Sequence, residues 1–415
     1  MVNVQNVKGF QDKIGVEAIK RKWIKEIVGR SFEAYGFEPA ETPVIESEEF
    51  VKGDNARDDA VRDVYILEDR AKRKLALRFE FTFQLKRIAK GQKLPYKRYQ
   101  IGEVFRDEPI RAGRSRQFTQ MDADVIGSTI KDEAECIKIL NNIFSELEIP
   151  VVIYINNRKL INEILVEQKI RERDRGQIIR ELDKLDKLSE KEVADNLKKF
   201  GAEKLVKLFK QSEKAFEKYN FYKEIKELKI YCKNYGVDVE FRPFLARGLS
   251  YYNGSVFEVW SSSKSILDPL SRSKFSRVAR QPEEPVTSKE LNVSLCGGGS
   301  YLANDIQSTG ISIGLEPVSL LCKKDFSLNL VQVISLGQDK EAIRICESLR
   351  DKGRNVFLIL DKTVGKAMEY ANSKNVSKVI FVGGEEVKKK KFKVRDMKSG
   401  KESLLSEGEL VKEIC

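Results

Sequence analysis

Arg114, Arg116, Phe118, Gln120, Asp122 and Asp124 occupy every second position of one segment, and Thr119, Met121, Ala123 and Val125 fill positions between them. A period of two belongs to an extended strand, so one face packs and the other presents charges of both signs. A mixed row of this kind suits a zwitterionic or phosphorylated ligand. It equally suits a solvated outer surface. Residues 98–106 read as the partner strand, with 107–113 as the polar loop that closes a hairpin. Cys296-Gly-Gly-Gly-Ser-Tyr301 is a second feature with chemical potential. Three glycines let backbone approach a ligand closely, or simply make a sharp turn. A third is the basic run Lys388-Lys-Lys-Lys-Phe-Lys393, which is either a phosphate contact or a solvated loop.

Composition limits what these residues can do. The 415 residues include no histidine. That excludes Ser-His-Asp and Cys-His catalysis, histidine-ligated metal and an imidazole pH switch. Catalysis would fall to carboxylates, Arg, Lys, Tyr or backbone groups. Lys and Arg number 76 against 64 Asp and Glu, a formal charge of +12. A basic surplus fits a polyanionic partner such as nucleic acid or nucleotide phosphate. The six cysteines form no CxxC pair and read as reduced, mostly buried thiols. No run is apolar and long enough to span a bilayer, and the amino terminus has no apolar signal core. The expectation is a soluble, cytoplasmic protein of two or three domains.

The elements that must position these residues follow in order. Val16, Ile19, Trp23 and Ile27 predict an amphipathic helix that Gly36 ends. The stretch 37–45, with Pro39 and Pro43, predicts an edge or interface strand. Residues 157–235 are a charged helical block with the composition of an insertion. Strand patterns resume over 245–260. Residues 261–288, rich in Ser, Arg and Pro, predict a flexible surface insertion. From about Ser327 the pattern becomes strand–helix–strand–helix–strand, a small α/β domain.

Several motifs, in this order, resemble those of histidyl-tRNA synthetases, most closely the archaeal and eukaryotic kind. Lys8-Gly-Phe-Gln-Asp12 looks like the family's amino-terminal Lys/Arg-Gly-x-x-Asp. Glu41-Thr-Pro-Val-Ile-Glu46 is similar to the end of the first class II motif, whose proline lies at a dimer interface. Leu77-Arg-Phe-Glu-Phe-Thr82 matches a Leu-Arg-x-(Asp/Glu)-x-Thr element. Residues 105–124 match the second class II motif. Leu245-Ala-Arg-Gly-Leu-Ser-Tyr-Tyr-Asn-Gly254 resembles the family's own Leu-Val-Arg-Gly-Leu-Asp-Tyr-Tyr-x-Gly. Gly297-Gly-Gly-Ser-Tyr301 resembles its Gly-Gly-Gly-Arg-Tyr. The resemblance spans nearly the whole chain.

It implies an α+β fold: a six-stranded antiparallel catalytic sheet with flanking helices (1–156 and 236–326), a helical insertion (157–235) and an anticodon-binding domain (327–415). It implies ATP-dependent ligation of histidine to tRNA through a histidyl-adenylate, with Mg²⁺ accompanying ATP on ligands not identified, and a homodimer. By the same resemblance Arg106 holds the α-phosphate, and Arg247 lies beside the reacting carboxylate and phosphate. Arg114 is a further ATP contact. Glu80, Thr82, Gln120 and Asp124 take the amino group of histidine. Tyr252 and Tyr301 take its side chain, with Tyr251 either beside them or in the core. Arg111 and Lys388, Lys389, Lys390 and Lys391 are tRNA contacts. The chain departs from the family at three residues and in its unusual 261–288 insertion. Pro317 stands where the third class II motif has an ATP-binding arginine, Ser300 replaces an arginine and Ser250 an aspartate. These departures leave a second reading, an impaired synthetase-like protein that binds tRNA or histidine as a regulator.

Overall fold

In the computed structural model, which describes residues 4–53, 61, 63–110, 113–248, 251–262, 294–324 and 330–414, eight strands make the principal sheet. In chain order the strands of the first unit are β1 (Glu38–Pro39), β2 (Ile45–Ser47), β3 (Ile66–Glu68), β4 (Lys74–Leu77), β5 (Tyr96–Phe105), β6 (Gln117–Ile126), β7 (Val151–Asn157), β8 (Glu240–Phe241), β9 (Tyr252–Ser261), β10 (Cys296–Ala303) and β11 (Ile306–Gly314). The spatial order is β1-β5-β6-β11-β10-β9-β7-β8. Its six inner strands are antiparallel throughout, and the two-residue β1 and β8 add parallel edges. The six-stranded expectation therefore holds for the inner strands, with a short parallel pairing closing each side. β2, β4 and β3 form a separate three-stranded sheet.

Alternation divides the principal sheet into two chemical faces. Met121, Ala123, Phe257, Val259, Ile311 and Ile313 are buried on one side. Helix Gly15–Ala34 buries Ile24, Ile27, Val28 and Phe32, and Phe32 lies 5.6 Å from the Tyr99 ring of β5. The helix thus buries a stripe displaced from the predicted one, and Val16 is half exposed. Helix Ile130–Glu146 begins at a Thr129–Asp132 capping box, which satisfies end groups the first turn cannot bond itself.

Helices of the 158–234 stretch follow β7, beginning with Arg158–Glu167 and ending with Tyr222–Asn234. Contacts gather the chain into two compact units: Met1–Lys13 with Lys20–Lys323, and Ile14–Ile19 with Lys324–Cys415. The second unit carries β12 (Leu330–Ser335), β13 (Asn355–Ile359), β14 (Lys378–Val382), β15 (Lys391–Asp396) and β16 (Glu402–Ser406) in the order β13-β12-β14-β15-β16. The first three are parallel and joined by helices Asp339–Arg350 and Val364–Ser373. The predicted α/β alternation is present, extended by an antiparallel pair. No described helix is long and apolar enough to cross a membrane.

Candidate active site

The polar face of the sheet is built from register. Arg98 on β5 faces Asp124 on β6, which faces Gly310 on β11, which faces Gly299 on β10. The adjacent row runs Gln100, Asp122, Ser312, Gly297, Glu258. Directly opposed residues of antiparallel strands point the same way, so both rows lie on one side. Gln120, Asp122 and Asp124 are all buried, with Asp122 and Asp124 at 3% exposure. The row is therefore a floor inside the protein and not a solvated surface. The strand begins at Gln117, so Arg114 and Arg116 precede it and are not part of the row.

One end of the floor is a chain of fixed donors and acceptors. Arg106 donates from Nε to the Phe79 carbonyl (3.0 Å) and from Nη2 to Gln120 Oε1 (3.1 Å). Its guanidinium lies 5.0 Å from the Phe118 ring centre. Gln120 in turn donates Nε2 to Asp122 Oδ2 (2.8 Å) and Ser312 Oγ (3.0 Å). Arg98 Nη2 and Asp124 Oδ2 are paired at 2.8 Å with no solvent access to Arg98. The Tyr301 hydroxyl donates to the other oxygen of Asp124. Tyr251 stands 5.5 Å from the Tyr301 ring and 4.8 Å from that of Tyr252, and its hydroxyl reaches Glu80 Oε2 at 3.5 Å. Tyr251 is thus part of the cluster.

At the other end is Arg247. Its Nη1 pairs with Glu258 Oε1 at 3.1 Å, while Trp260 Nε1 donates to the second Glu258 oxygen at 3.0 Å. The guanidinium is 5.7 Å from the Tyr252 ring. Residues 245–248 form a loop and not the expected strand start. Arg247 has φ +64°, which an extended strand cannot contain. The glycine tract is likewise no turn: Gly297, Gly298 and Gly299 sit inside β10, in the middle of the sheet. A β-carbon on Gly298 would meet the Gly310 carbonyl at 2.2 Å, and one on Gly310 would meet Asp124 Oδ1 at 2.3 Å.

Burial sets the electrostatics. It raises Asp122 to about 7, with the neighbouring Asp124 adding to the rise and Ser312, Arg98 and Gln120 opposing it. Asp124 is raised by burial and held back by Arg98 and Tyr301. Glu258 is raised by burial against the pull of Arg247. Several buried atoms have no hydrogen-bond partner among the described residues: Asp122 Oδ1, Arg247 Nε, and Nε and Nη1 of Arg98. Orphaned polar atoms of this kind are the groups a polar ligand or water completes. The face can hold an anion between guanidinium forks and a cation against carboxylates.

The structure thus brings together Glu80, Arg106, Gln120, Asp124, Arg247, Tyr252 and Tyr301. Thr82 lies two residues from Glu80 and is partly buried. Arg114 stands apart, about half exposed and paired with Glu108 at 3.2 Å. Arg111 and Ser250 lie outside the described residues, as does the 261–288 expectation except Ser261 and Ser262. Ser261 is the last residue of β9. Lys388 and Lys389 end a short helix, Lys390 caps it at φ +52° and Lys391 opens β15, all exposed. Sequence reasoning missed Arg98, Glu258 and Ser312 as members, and Asp122 as more than part of a row. Alternation on β5 and β9 was the signal available for Arg98 and Glu258. Of the departures, Pro317 is the third residue of helix Leu315–Leu321, a position in the first turn where proline loses no hydrogen bond. Ser300 is on the opposite face from the floor and donates to buried Glu133.

Known proteins resemble the chain along nearly its whole length. The family model described as histidyl-tRNA synthetase matches residues 9–270, and an anticodon binding domain model matches 330–415. A histidine–tRNA ligase 1 of Bacillus cereus is 30% identical over 433 residues, covering 97% of each chain. A histidine–tRNA ligase of Nanoarchaeum equitans is 30% identical, covering 92% of this chain and 91% of its own. The crystal structure of histidyl-tRNA synthetase from Nostoc superposes with a TM-score of 0.80 at 25% identity, covering 100% of this chain and 99% of that one.

Proposed function

The chain belongs to the histidyl-tRNA synthetase family, and from that premise we propose how its polar sheet face ligates histidine to tRNA. The reaction joins histidine to tRNA at the expense of ATP. In the first step an oxygen of the histidine carboxylate attacks the α-phosphorus, and the bond to the departing pyrophosphate breaks. In the second, a ribose hydroxyl of the terminal adenosine of tRNA attacks the carbonyl carbon, its proton is lost and AMP departs.

Neither step needs an imidazole from the protein. Both need cations fixed where negative charge gathers, in a site already organised before reaction. Arg106 binds the α-phosphate, its orientation set by the Phe79 carbonyl and Gln120. Arg247 bridges the reacting carboxylate and phosphate, which a planar guanidinium does with two donors and an ammonium cannot. Arg114 contacts ATP from the loop. Glu80, Thr82, Gln120 and Asp124 receive the α-ammonium, while Tyr252 and Tyr301 read the imidazole. A wrong side chain would leave these buried groups unpaired, which is the strongest form of discrimination available to a polar pocket. The observation that carries the reading is the buried row of Gln120, Asp122 and Asp124 between two oriented guanidinium groups.

Mg²⁺ belongs to the same reading as the companion of the ATP phosphates, whose charge it would partly neutralise when bound. Among the described residues no three carboxylate or thiol groups gather to hold a metal unaided. Residues 1–156 and 236–326 form the catalytic part, with 157–235 as its insertion. Arg111 contacts the acceptor end of tRNA, and Lys388, Lys389, Lys390 and Lys391 the anticodon side. Ile45, Ile66 and Leu67, exposed on the small sheet, support a homodimer that would cover them. The enzyme works in the cytoplasm, where its thiols stay reduced. Histidine-dependent exchange of labelled pyrophosphate into ATP tests the reading. Exchange above background supports it, and no exchange with all three reactants present removes the catalytic account.

A further inference from the structure

We propose that Asp183, in the helical stretch after β7, is a positioning residue that sets the backbone of Arg247. Its Oδ1 accepts from the Ala246 N–H at 2.8 Å and from the Arg247 N–H at 3.0 Å. Arg247 is thereby held at φ +64°, in a region that residues with a β-carbon rarely occupy and that surrounding contacts must enforce. The other side of the loop is clamped separately. Asn156 donates Nδ2 to the carbonyls of Pro243 (2.6 Å) and Leu245 (2.8 Å), and Arg158 Nη1 donates to that of Ala246 (3.1 Å). Asp183 therefore supplies what those donors cannot, an acceptor for the amide side.

The carboxylate is itself well anchored. Asp183 opens a single 3₁₀ turn, Asp183–Asp186, at the end of helix Glu172–Leu182. Leu182, the last residue of that helix, and Leu185 on the turn are buried. The direction of the Cα–Cβ bond depends on the backbone, so the left-handed conformation at 247 is what sends the guanidinium toward Glu258 and Gly297. With Asp183 removed, the loop returns to ordinary φ and the cation leaves its place. The alignment of one cation at the site is in this way set from a segment more than sixty residues upstream in the chain.

This inference rests on the role given to Arg247 above, and the experiment separates the two. Pyrophosphate exchange is measured for the wild type, Asp183→Ala, Asp183→Asn, Arg247→Ala and the double variant Asp183→Ala/Arg247→Ala. Asp183→Ala lowers kcat on the order of tenfold to a hundredfold, the scale of lost charge-assisted hydrogen bonds, with the histidine KM within about threefold. Asp183→Asn recovers most of the rate, because an amide oxygen still accepts both N–H groups. The double variant is no slower than Arg247→Ala, since the two residues act as one unit. Should Asp183→Ala fail to fold, Asp183→Glu, which displaces the acceptor by one methylene, takes its place with the same expected loss. The proposal falls if Asp183→Ala keeps the wild-type kcat, if Asp183→Asn is as slow as Asp183→Ala, or if the two losses multiply. A slow Arg247→Ala beside a fast Asp183→Ala removes this inference alone. A fast Arg247→Ala removes the role of Arg247 and this inference with it.

Discussion

The guanidinium of Arg247 occupies the space where a side chain on Gly297 would stand. A β-carbon there would lie 1.6 Å from Nη1 and 2.4 Å from Cζ. The first glycine of the tract is therefore required by one of the protein's own arginines. Glu258, facing Gly297 across the β9–β10 ladder, then holds that arginine by its charge.

Gly297→Ala should consequently separate activity from stability. The clash is with the far end of a flexible side chain, which can swing aside, so the fold loses little. The displaced cation is lost to the reaction, and exchange should fall on the order of a hundredfold, the scale of one transition-state donor. Thermal unfolding and exchange kinetics on the same preparation check this. Full activity in the variant would show that the notch is not needed.

Arg98 and Asp124 should behave as a buried pair. Removing one partner strands the other charge, so Arg98→Met should destabilise by about 3–5 kcal/mol in denaturant unfolding. Adding Asp124→Asn should restore part of that loss, because the stranded charge is gone. An equal or greater loss in the double variant contradicts the pairing.

Stability should rise as pH falls from 8 toward 5. Asp122 is raised from 3.8 to about 7 in the folded protein. Its contribution is complete below the unfolded value and disappears as pH climbs through the folded one, because only the unfolded state has released the proton in between. The slope from one such group is at most about 1.4 kcal/mol per pH unit. Asp122→Asn should flatten the trend in melting temperature. Asp124 and Glu258, raised in the same direction, leave a residual slope. A trend unchanged by the substitution would mean that Asp122 ionises normally.

Tyr301→Phe removes the hydroxyl that donates to Asp124 and keeps the ring. A buried acceptor left unmade costs about 1–3 kcal/mol. The kcat/KM for histidine should fall on the order of tenfold, with the ATP KM much less affected. Equal loss for both substrates would point to a general disturbance of the sheet instead.

Replacing Lys388, Lys389 and Lys391 by Gln should weaken tRNA binding more at low salt than at high. The slope of log K against log salt should shrink by roughly 0.7–0.9 for each phosphate contact removed. An unchanged slope takes the tRNA away from this run.

Much of the site was legible from local pattern. Period-two alternation exposed the Gln120, Asp122 and Asp124 row, and the order of motifs carried the family and singled out Arg106 and Arg247. Those signals are local because a strand's alternation and a motif's spacing depend only on near neighbours in the chain. What the pattern left undecided was whether the row faced water or an interior, and whether three glycines made a sharp turn or let another group approach the backbone closely. Only packing answered those questions. Antiparallel register set Arg98 against Asp124 and Glu258 against Gly297, pairs joined by sheet order that no local spacing encodes. The left-handed backbone of Arg247 is likewise enforced by Asp183 and not by its own residue type, since an arginine left to itself avoids that conformation. The chain thus specified which groups are available, and long-range contact decided which of them meet.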